Sequence, residues 1–446
     1  VAGMLSVDAL RKAVEAGAVD TVLLAIADME GRLQGKRLTA SYFLDHVLEH
    51  GAEGCNYLLA VDVEMNTVSG YEMSSWERGY GDFEMKPDLD TLRLIPWHPG
   101  TVLVMADLGW ADGTEVVASP RQILRRQLAR LAERGLVANA GTELEFIVFR
   151  DSYEDAWGSG YRDLEPANLY NNDYSLLGGA RVEPLLRRIR NEMAGAGMTV
   201  ENSKGECNLG QHEINFHYGE ALGVADDHAI YKNGAKEIAA QEGHSITFMA
   251  KFNEREGNSC HIHCSLAHAE AGNAFASDRK MFERFVAGQL AALRDLTLFY
   301  APHINSYKRF AEGSFAPTAV AWGNDNRTCS MRVVGHGEGL RVENRLPGAD
   351  VNPYLALAGM IAAGLAGIDS ELSLEPPMDG NAYTSDKPHV PSNLYDARDL
   401  FAGSELVRNA FGQEVVDHYL NRAEVELSAF EAAVTDWERY RGFERL

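Results

Sequence analysis

The chain reads as an α+β protein in two parts, a small N-terminal domain over 1–115 and a larger one over 116–446. Three observations predict this. The 446 residues exceed what one hydrophobic core ordinarily organises. Short strand-like runs mix with one or two helical ones over the first part. A helix-start signal then divides the chain at Ser119-Pro120-Arg121-Gln122, with an N-cap Ser, Pro at the first helical position and Gln at the third, the pattern of a capping box.

In order, Ser6 caps a first helix that stops near Gly17. The β-rich stretch Thr21–Asp28 turns through Met29-Glu30-Gly31 into Leu33–Leu38. A helix is predicted over Ser41–His50, irregular chain from Gly70 to Met85, and strands near Thr91–Ile95 and Thr101–Asp107. After the boundary, Leu124, Leu128 and Leu131 line one helix face, and Gly135 ends it. The strand Thr142-Glu143-Leu144-Glu145-Phe146 follows. Residues two apart on a strand share a face, so Glu143 and Glu145 project together while Leu144 and Phe146 enter a core.

Composition bounds the function. A net charge of −24 repels nucleic acid and anionic membranes, so neither is expected as a partner. Five cysteines without a C-x-x-C pair support neither a disulfide framework nor a zinc ribbon, and a reducing cytoplasm is expected. No basic segment followed by an apolar run opens the chain, so no signal peptide is expected. The most apolar run, Tyr354–Ile368, is too short to span a bilayer and reads as a buried helix.

Two adjacent carboxylates repel unless a cation lies between them, and a hard divalent ion prefers such oxygen ligands. Four later segments show polar residues with period two, as on strands. In Lys204–Phe216, Glu206 and Glu213 flank a Gly-containing turn and can converge. In Gly257–Ser265, His261 and His263 share a face opposite Cys260, Ile262 and Cys264. Asn326–Arg332 carries Arg327 and Arg332, and Leu340–Leu346 puts Arg341, Glu343 and Arg345 on one face. Taken singly, each is as well explained by surface charge or a structural ion pair. Together they suit phosphoryl transfer, in which carboxylates hold metals and guanidinium groups bind the remaining phosphate charge. Neither a P-loop nor a Rossmann glycine pattern is present.

The ordered motifs Gly141-Thr142-Glu143-Leu144-Glu145-Phe146, Lys204-Gly205-Glu206, Gly210-Gln211-His212-Glu213, Ser259 to Leu266, Asn305-Ser306-Tyr307-Lys308-Arg309, Asn326-Arg327 through Arg332 and Glu343-Asn344-Arg345-Leu346-Pro347 resemble the glutamine synthetase family over nearly the whole chain. The resemblance implies a small N-terminal β-grasp domain and a large glutamine synthetase/guanido kinase-like catalytic domain. It implies Glu145, Glu206 and Glu213 as ligands of one Mg²⁺ or Mn²⁺, and Glu143, His261 and Glu343 as ligands of a second that bridges ATP phosphates. By the same resemblance, Arg327 and Arg332 hold phosphate and the transferring group, Arg309 and Arg345 bind L-glutamate with the Gly257 backbone, and His263 and Ser265 lie on the ATP side. It further implies a homo-oligomer, a double-ring dodecamer whose sites are completed by the neighbouring N-terminal domain.

Three departures surround the nucleophile pocket. The family's flap reads Tyr-Glu-Ala-Pro, whereas this chain has Gly313-Ser314-Phe315-Ala316-Pro317, with Phe315 in place of the acid. The N-terminal Asp-Gly-Ser-Ser is replaced by Ala60-Val61-Asp62-Val63-Glu64-Met65-Asn66, and the Asn-Gly pair beside glutamate reads Glu256-Gly257. Ammonium carries only donors and needs anionic or carbonyl partners, whereas an aromatic ring suits a carbon-bearing amine. The expectation is therefore a γ-glutamyl-amine ligase acting on a small monoamine such as ethanolamine, with polyamines next. Asp62, Glu64 and Asp82 are candidates for a second acidic site, and Gly70–Gly81 for an apolar wall. The competing reading is an ordinary glutamine synthetase using ammonia. An inactive relative is disfavoured because all six implied ligands are present, and a metallohydrolase because of the arginine set.

Overall fold

The computed structural model describes residues 3–268 and 272–446. Its first sheet comprises β1 (Thr21–Ala27), β2 (Leu33–Thr39), β3 (Ala52–Cys55), β4 (Asp82–Pro87), β5 (Arg93–Leu94) and β6 (Thr101–Gly109). The order is β2-β1-β6-β4-β3, with β5 also on β6; β1 runs antiparallel to β2 and parallel to β6. This mixed sheet has the hairpin and crossover of the expected β-grasp. The crossover carries a helical segment from Ala40 to His50, widened to a π-turn over Phe43–Val47. Ser6 caps the first helix by accepting from the Ala9 N–H, as expected. The stretch read as irregular from Gly70 to Met85 gains order at its end. Asp82–Met85 already belong to β4, because Phe83 and Met85 turn into the core while Asp82 faces out.

The second sheet has ten strands: β7 (Leu136–Phe149), β8 (Val200–Gly205), β9 (Gln211–Phe216), β10 (Gly219–Glu220), β11 (Ser245–Thr247), β12 (Cys260–His268), β13 (Gly272–Asn273), β14 (Trp322–Asn324), β15 (Met331–Val334) and β16 (Arg341–Asn344). Its spine runs β14-β15-β16-β12-β7-β9-β8. The apolar run forms the helix Pro353–Asp369, in which all but Ala366, Ile368 and Asp369 are buried. It lies close against Arg279–Ala292: a Cβ on Gly288 would stand 2.1 Å from the Ala363 carbonyl oxygen. Among the described residues no helix is long and apolar enough to cross a membrane.

The helix Pro120–Ala132 forms without the predicted capping box, since Ser119 makes no side-chain cap bond. Gln122 is drawn to a stronger, buried pairing: its amide accepts from the Leu108 N–H at 3.0 Å and donates to the Leu108 carbonyl at 2.7 Å. One residue earlier, Arg121 is buried among Asp226 (2.8 Å), Asp107 (2.5 Å) and Asp88 (2.7 Å), a cluster that joins β6 and the end of β4 to the helix Ala221–Gln241.

The β1–β2 turn is fastened to the C-terminal half. Asn352 donates to the Asp28 and Met29 carbonyls at 3.2 and 2.9 Å. Arg422, on the helix Gln413–Ala432, grips Glu30 with two N–H···O bonds of 2.8 and 2.6 Å. Burial would raise the Glu30 pKa, but Arg422 and His303 outweigh it and hold the carboxyl at about 2. Glu30 therefore stabilises the fold above its unfolded value of 4.5, and that contribution is lost as pH falls from 4.5 towards 2. Arg422→Met strands a buried carboxylate and should cost about 3–5 kcal/mol at neutral pH. Melting midpoints should differ most at pH 7.5, and the gap should narrow as pH falls below 4.5 towards 2; a pH-independent gap would refute the ion-pair account.

Candidate active site

Strand register assembles the site. On β7, Leu144 and Phe146 are buried in the core, so Glu143 and Glu145 project from the other face. On one side β12 sets His261 directly opposite Glu143, and on the other β9 sets Glu213 opposite Glu145. β16 places Glu343 opposite His263, and β15 places Arg332 opposite Glu343. A slip of one residue in any pair would send these side chains into the core. The β8–β9 turn brings Glu206 across: its N–H donates to the Gln211 carbonyl at 2.9 Å, and Gly210 takes φ +72°, where a Cβ would stand 2.5 Å from the Val148 carbonyl oxygen.

Two trios of ligand atoms result, each with all its donors within 4.8 Å of one another: Glu145, Glu206 and Glu213, and Glu143, His261 and Glu343. Their electrostatics differ. In the first trio burial, reinforced by the charges of Glu206 and Glu213, pushes Glu145 far up. Burial and the charges of Glu143 and Glu206 lift Glu213 to about 7, and burial raises Glu206. Lys204, which contacts Glu206, is the cation answering this cluster. Directly opposed glutamates such as Glu145 and Glu213 destabilise a sheet unless a positive charge joins them. Glu145 is also anchored by the Ser259 N–H at 2.6 Å and by Gln211 Nε2 at 3.3 Å.

The second trio is compensated. Burial works to raise Glu143, but hydrogen bonds from His261 and His263 hold it well below the usual carboxylate range. Glu343 is fully buried, and His261 and Arg345 outweigh that burial to keep it low. It takes Arg332 Nη1 at 2.8 Å and Arg345 Nη1 at 2.5 Å. Burial, with the charge of Arg345, pushes His261 down to about 4, so the ring is neutral near pH 7. Its Nδ1 lies 3.3 Å from Glu143 and 3.5 Å from Glu343, while its buried Nε2 has no partner. Arg341 donates to His263 Nδ1 at 3.1 Å, which leaves the proton on Nε2 to reach Glu143 at 3.0 Å. Oxygen-rich trios with one imidazole fit Mg²⁺ or Mn²⁺.

A cavity of about 530 Å³ opens on this face, lined by Glu143, Glu145, Glu206, Glu213, His261, Arg327, Arg332 and Arg345 together with Gly257 and Phe315. His263, Arg327 and Arg332 also line a neighbouring cavity of about 850 Å³, and His263 and Ser265 a third of about 470 Å³. Arg309 lines none of these. It is buried behind the wall, donating to the Leu346 carbonyl at 2.9 Å and to Ser259 Oγ at 3.2 Å. Asp62 and Glu64 are not brought to the cavity within one chain; the Asp62 carboxylate instead caps its own turn through Asn66. His212, in the same motif as Glu213, faces inward, and its Nε2 lies 2.8 Å from Asn168 Oδ1.

Arg327 corrects one expectation. The segment Asn326–Arg332 is not one strand: β15 starts at Met331, and Arg327 sits in the preceding turn. Asn326 makes that turn, accepting from the Thr328 N–H and hydroxyl while its amide donates to the Met378 and Gly380 carbonyls. The flap is equally bent. Phe315 adopts φ +59°, a costly conformation for a bulky side chain, and stays 59% exposed. Tyr383 holds the next carbonyl, at Ala316, with its hydroxyl at 2.9 Å, and Ser314 donates to the Ala311 carbonyl at 2.6 Å. Sequence reasoning gave no role to Gln211 or Lys204. The signal for both was their spacing, each two residues before a glutamate: Gln211 shares a face of β9 with Glu213, and Lys204 lies near the end of β8, just before the turn that holds Glu206.

The family pattern described as the glutamine synthetase catalytic domain matches residues 117–441. A γ-glutamylethanolamide synthetase, GlnA4 of Streptomyces coelicolor, is 66% identical over 99% of this chain and 96% of its own. A glutamate–isopropylamine ligase from a Pseudomonas species is 36% identical over 97% of this chain and 96% of its own. Among solved structures, the GmaS/ADP complex superposes with a TM-score of 0.85 at 26% identity, covering 98% of this chain and 99% of that one. With matching ranging over both sheets and the whole catalytic face, the chain belongs to the glutamine synthetase family.

Proposed function

We propose that this protein is an ATP-dependent glutamate–amine ligase that joins the γ-carboxylate of L-glutamate to a small primary amine, ethanolamine or a similar monoamine. The observation that carries this reading is the contrast within one cavity. The carboxylate and arginine walls follow the family pattern, while the flap presents Phe315 instead of an acid. The likeness to a γ-glutamylethanolamide synthetase supports the choice of amine.

The chemistry needs activation, because a carboxylate oxygen is a poor leaving group. A γ-carboxylate oxygen of glutamate attacks the γ-phosphorus of ATP; the bond to the ADP oxygen breaks, leaving γ-glutamyl phosphate. The ammonium of the amine gives up one proton to solvent, its neutral nitrogen attacks the acyl carbon, inorganic phosphate departs, and a second proton leaves the nitrogen to give the amide. Glu145, Glu206 and Glu213 would hold one divalent cation and Glu143, His261 and Glu343 another, which when bound neutralise phosphate oxygens. Arg327 and Arg332, on the rim shared with the 850 Å³ cavity, suit binding of the transferring group's remaining charge. Arg345 suits a glutamate carboxylate, with Gly257 beside it and Arg309 as the buried support of that wall. His263 and Ser265 suit the ATP side.

Residues 1–115 and 116–446 are taken as the two domains. The assembly proposed is a cytoplasmic double-ring dodecamer in which Asp62 and Glu64 would act on a neighbouring subunit's site.

The decisive assay is phosphate release from ATP and glutamate with ammonium compared against a panel of amines. Ethanolamine or another small monoamine should be preferred; efficient turnover with ammonium alone would leave an ordinary glutamine synthetase. Glu213→Gln should remove the raised carboxylate, abolish Mg²⁺-dependent turnover and keep the melting midpoint near that of the parent. Turnover retained at a tenth of the parent rate or more would contradict the ligand role. Phe315→Glu should shift preference towards ammonium, and an unchanged amine profile would end the flap argument.

A further inference from the structure

We infer that Glu256 is a recognition residue for a primary ammonium group of a substrate in the 530 Å³ cavity, an inference that rests on the amine-ligase reading of the same site. Every other carboxylate lining that cavity has an answering group. Glu143 has the two histidines, Glu145 the Ser259 N–H, Glu206 Lys204, and Glu213 the Asn215 amide at 2.8 Å. Asp173 lies 4.0 Å from the Lys204 ammonium. Among the described residues Glu256 has no hydrogen-bonded or ion-paired answering group: its Oε2 is shielded from solvent and takes no hydrogen bond. Lys251, close in sequence, feels the Glu256 charge at a distance but donates its ammonium to the Arg255 carbonyl and makes no direct ion pair with Glu256.

The carboxylate is mounted on rigid backbone. The fully buried Asn208 donates its amide to the Glu256 carbonyl at 2.7 Å, and Gln211 donates to the next carbonyl, at Gly257, at 2.8 Å. Gly257 packs on Arg309 so closely that a Cβ there would stand 2.6 Å from Arg309 Cγ. A carboxylate oxygen facing the cavity without a donor is a ready acceptor for a cation arriving with the substrate. Anionic substrate groups are repelled by it, and the substrate group it suits is a cationic donor. Both substrates supply one, the α-ammonium of glutamate and the protonated amine. Phe315 and Tyr174, which line the same cavity, present aromatic surface suited to the carbon flanking such a group.

The test is steady-state kinetics of full-length Glu256→Gln, varying glutamate, ethanolamine and ATP in turn. Loss of a charge-assisted contact should raise the KM of one ammonium-bearing substrate by about tenfold or more, with that of ATP within about twofold. A rise for glutamate identifies the α-ammonium, and a rise for ethanolamine the incoming amine. Glu256→Asp, which keeps the charge, should recover part of the loss. Glutamate and ethanolamine KM values both within about twofold of the parent would overturn the inference. If Glu256→Gln does not fold, Glu256→Ala is read the same way, and Glu256→Asp as weak as a charge-free variant would also overturn it. A parent enzyme active only with ammonium defeats the amine-ligase reading instead, and Glu256 is then judged on the glutamate KM alone.

Discussion

Glu145, Glu206 and Glu213 bring three carboxylates within 4.8 Å of one another in a buried wall, and that repulsion is the constraint around which the rest of the site is arranged. Three like charges cannot share a low-dielectric pocket unless protons or a cation neutralise them. Without a cation, burial and mutual repulsion push these carboxyls towards the protonated form. Cations are the alternative, and a divalent ion held by this trio would turn the repulsion into binding energy that also orders the site. The neighbouring trio shows the contrasting solution. There Arg332, Arg345 and two histidines already balance Glu143 and Glu343, so its geometry stands without help.

Rigidity follows from where these groups are mounted. Each lies on or beside a strand of one sheet, and the pairs Glu143–His261, Glu145–Glu213 and Glu343–Arg332 are fixed by register alone. Such mounting is stiffer than a loop can offer and suits chemistry that depends on positioning. Two further pieces of the cavity lining are bent instead. Phe315 sits in a left-handed backbone conformation on a flap tied down by Tyr383 and Ser314, and Arg327 sits in a turn built by Asn326. The division is between a strand-mounted wall, proposed for phosphate, and a bent rim, proposed for the nucleophile.

Much of this was legible in the sequence because strands write their faces with period two. Alternation of Glu143 and Glu145 with Leu144 and Phe146 identified a strand and the direction of its carboxylates, and the same logic separated His261 and His263 from Cys260, Ile262 and Cys264. Spacing could not say that Glu143 and Glu343 meet, since nothing local couples positions so far apart; the family resemblance supplied that pairing. Other features escaped because tertiary partners overrode local pattern. Gln122 left its capping role for the Leu108 backbone, Asn326 curled a stretch that alternates like a strand, and Arg309 went behind the wall to the Leu346 carbonyl. The empty hydrogen-bonding capacity of Glu256 is likewise a property of its surroundings, invisible until the cavity is assembled.

The claim that two cation sites underlie the site is tested most directly by counting them. Titration of the metal-free protein with Mn²⁺, following the free ion by its magnetic resonance signal, should give two bound ions per chain. Glu145→Gln should remove one of them and leave the other. A single site in the parent protein, or none, would contradict the account.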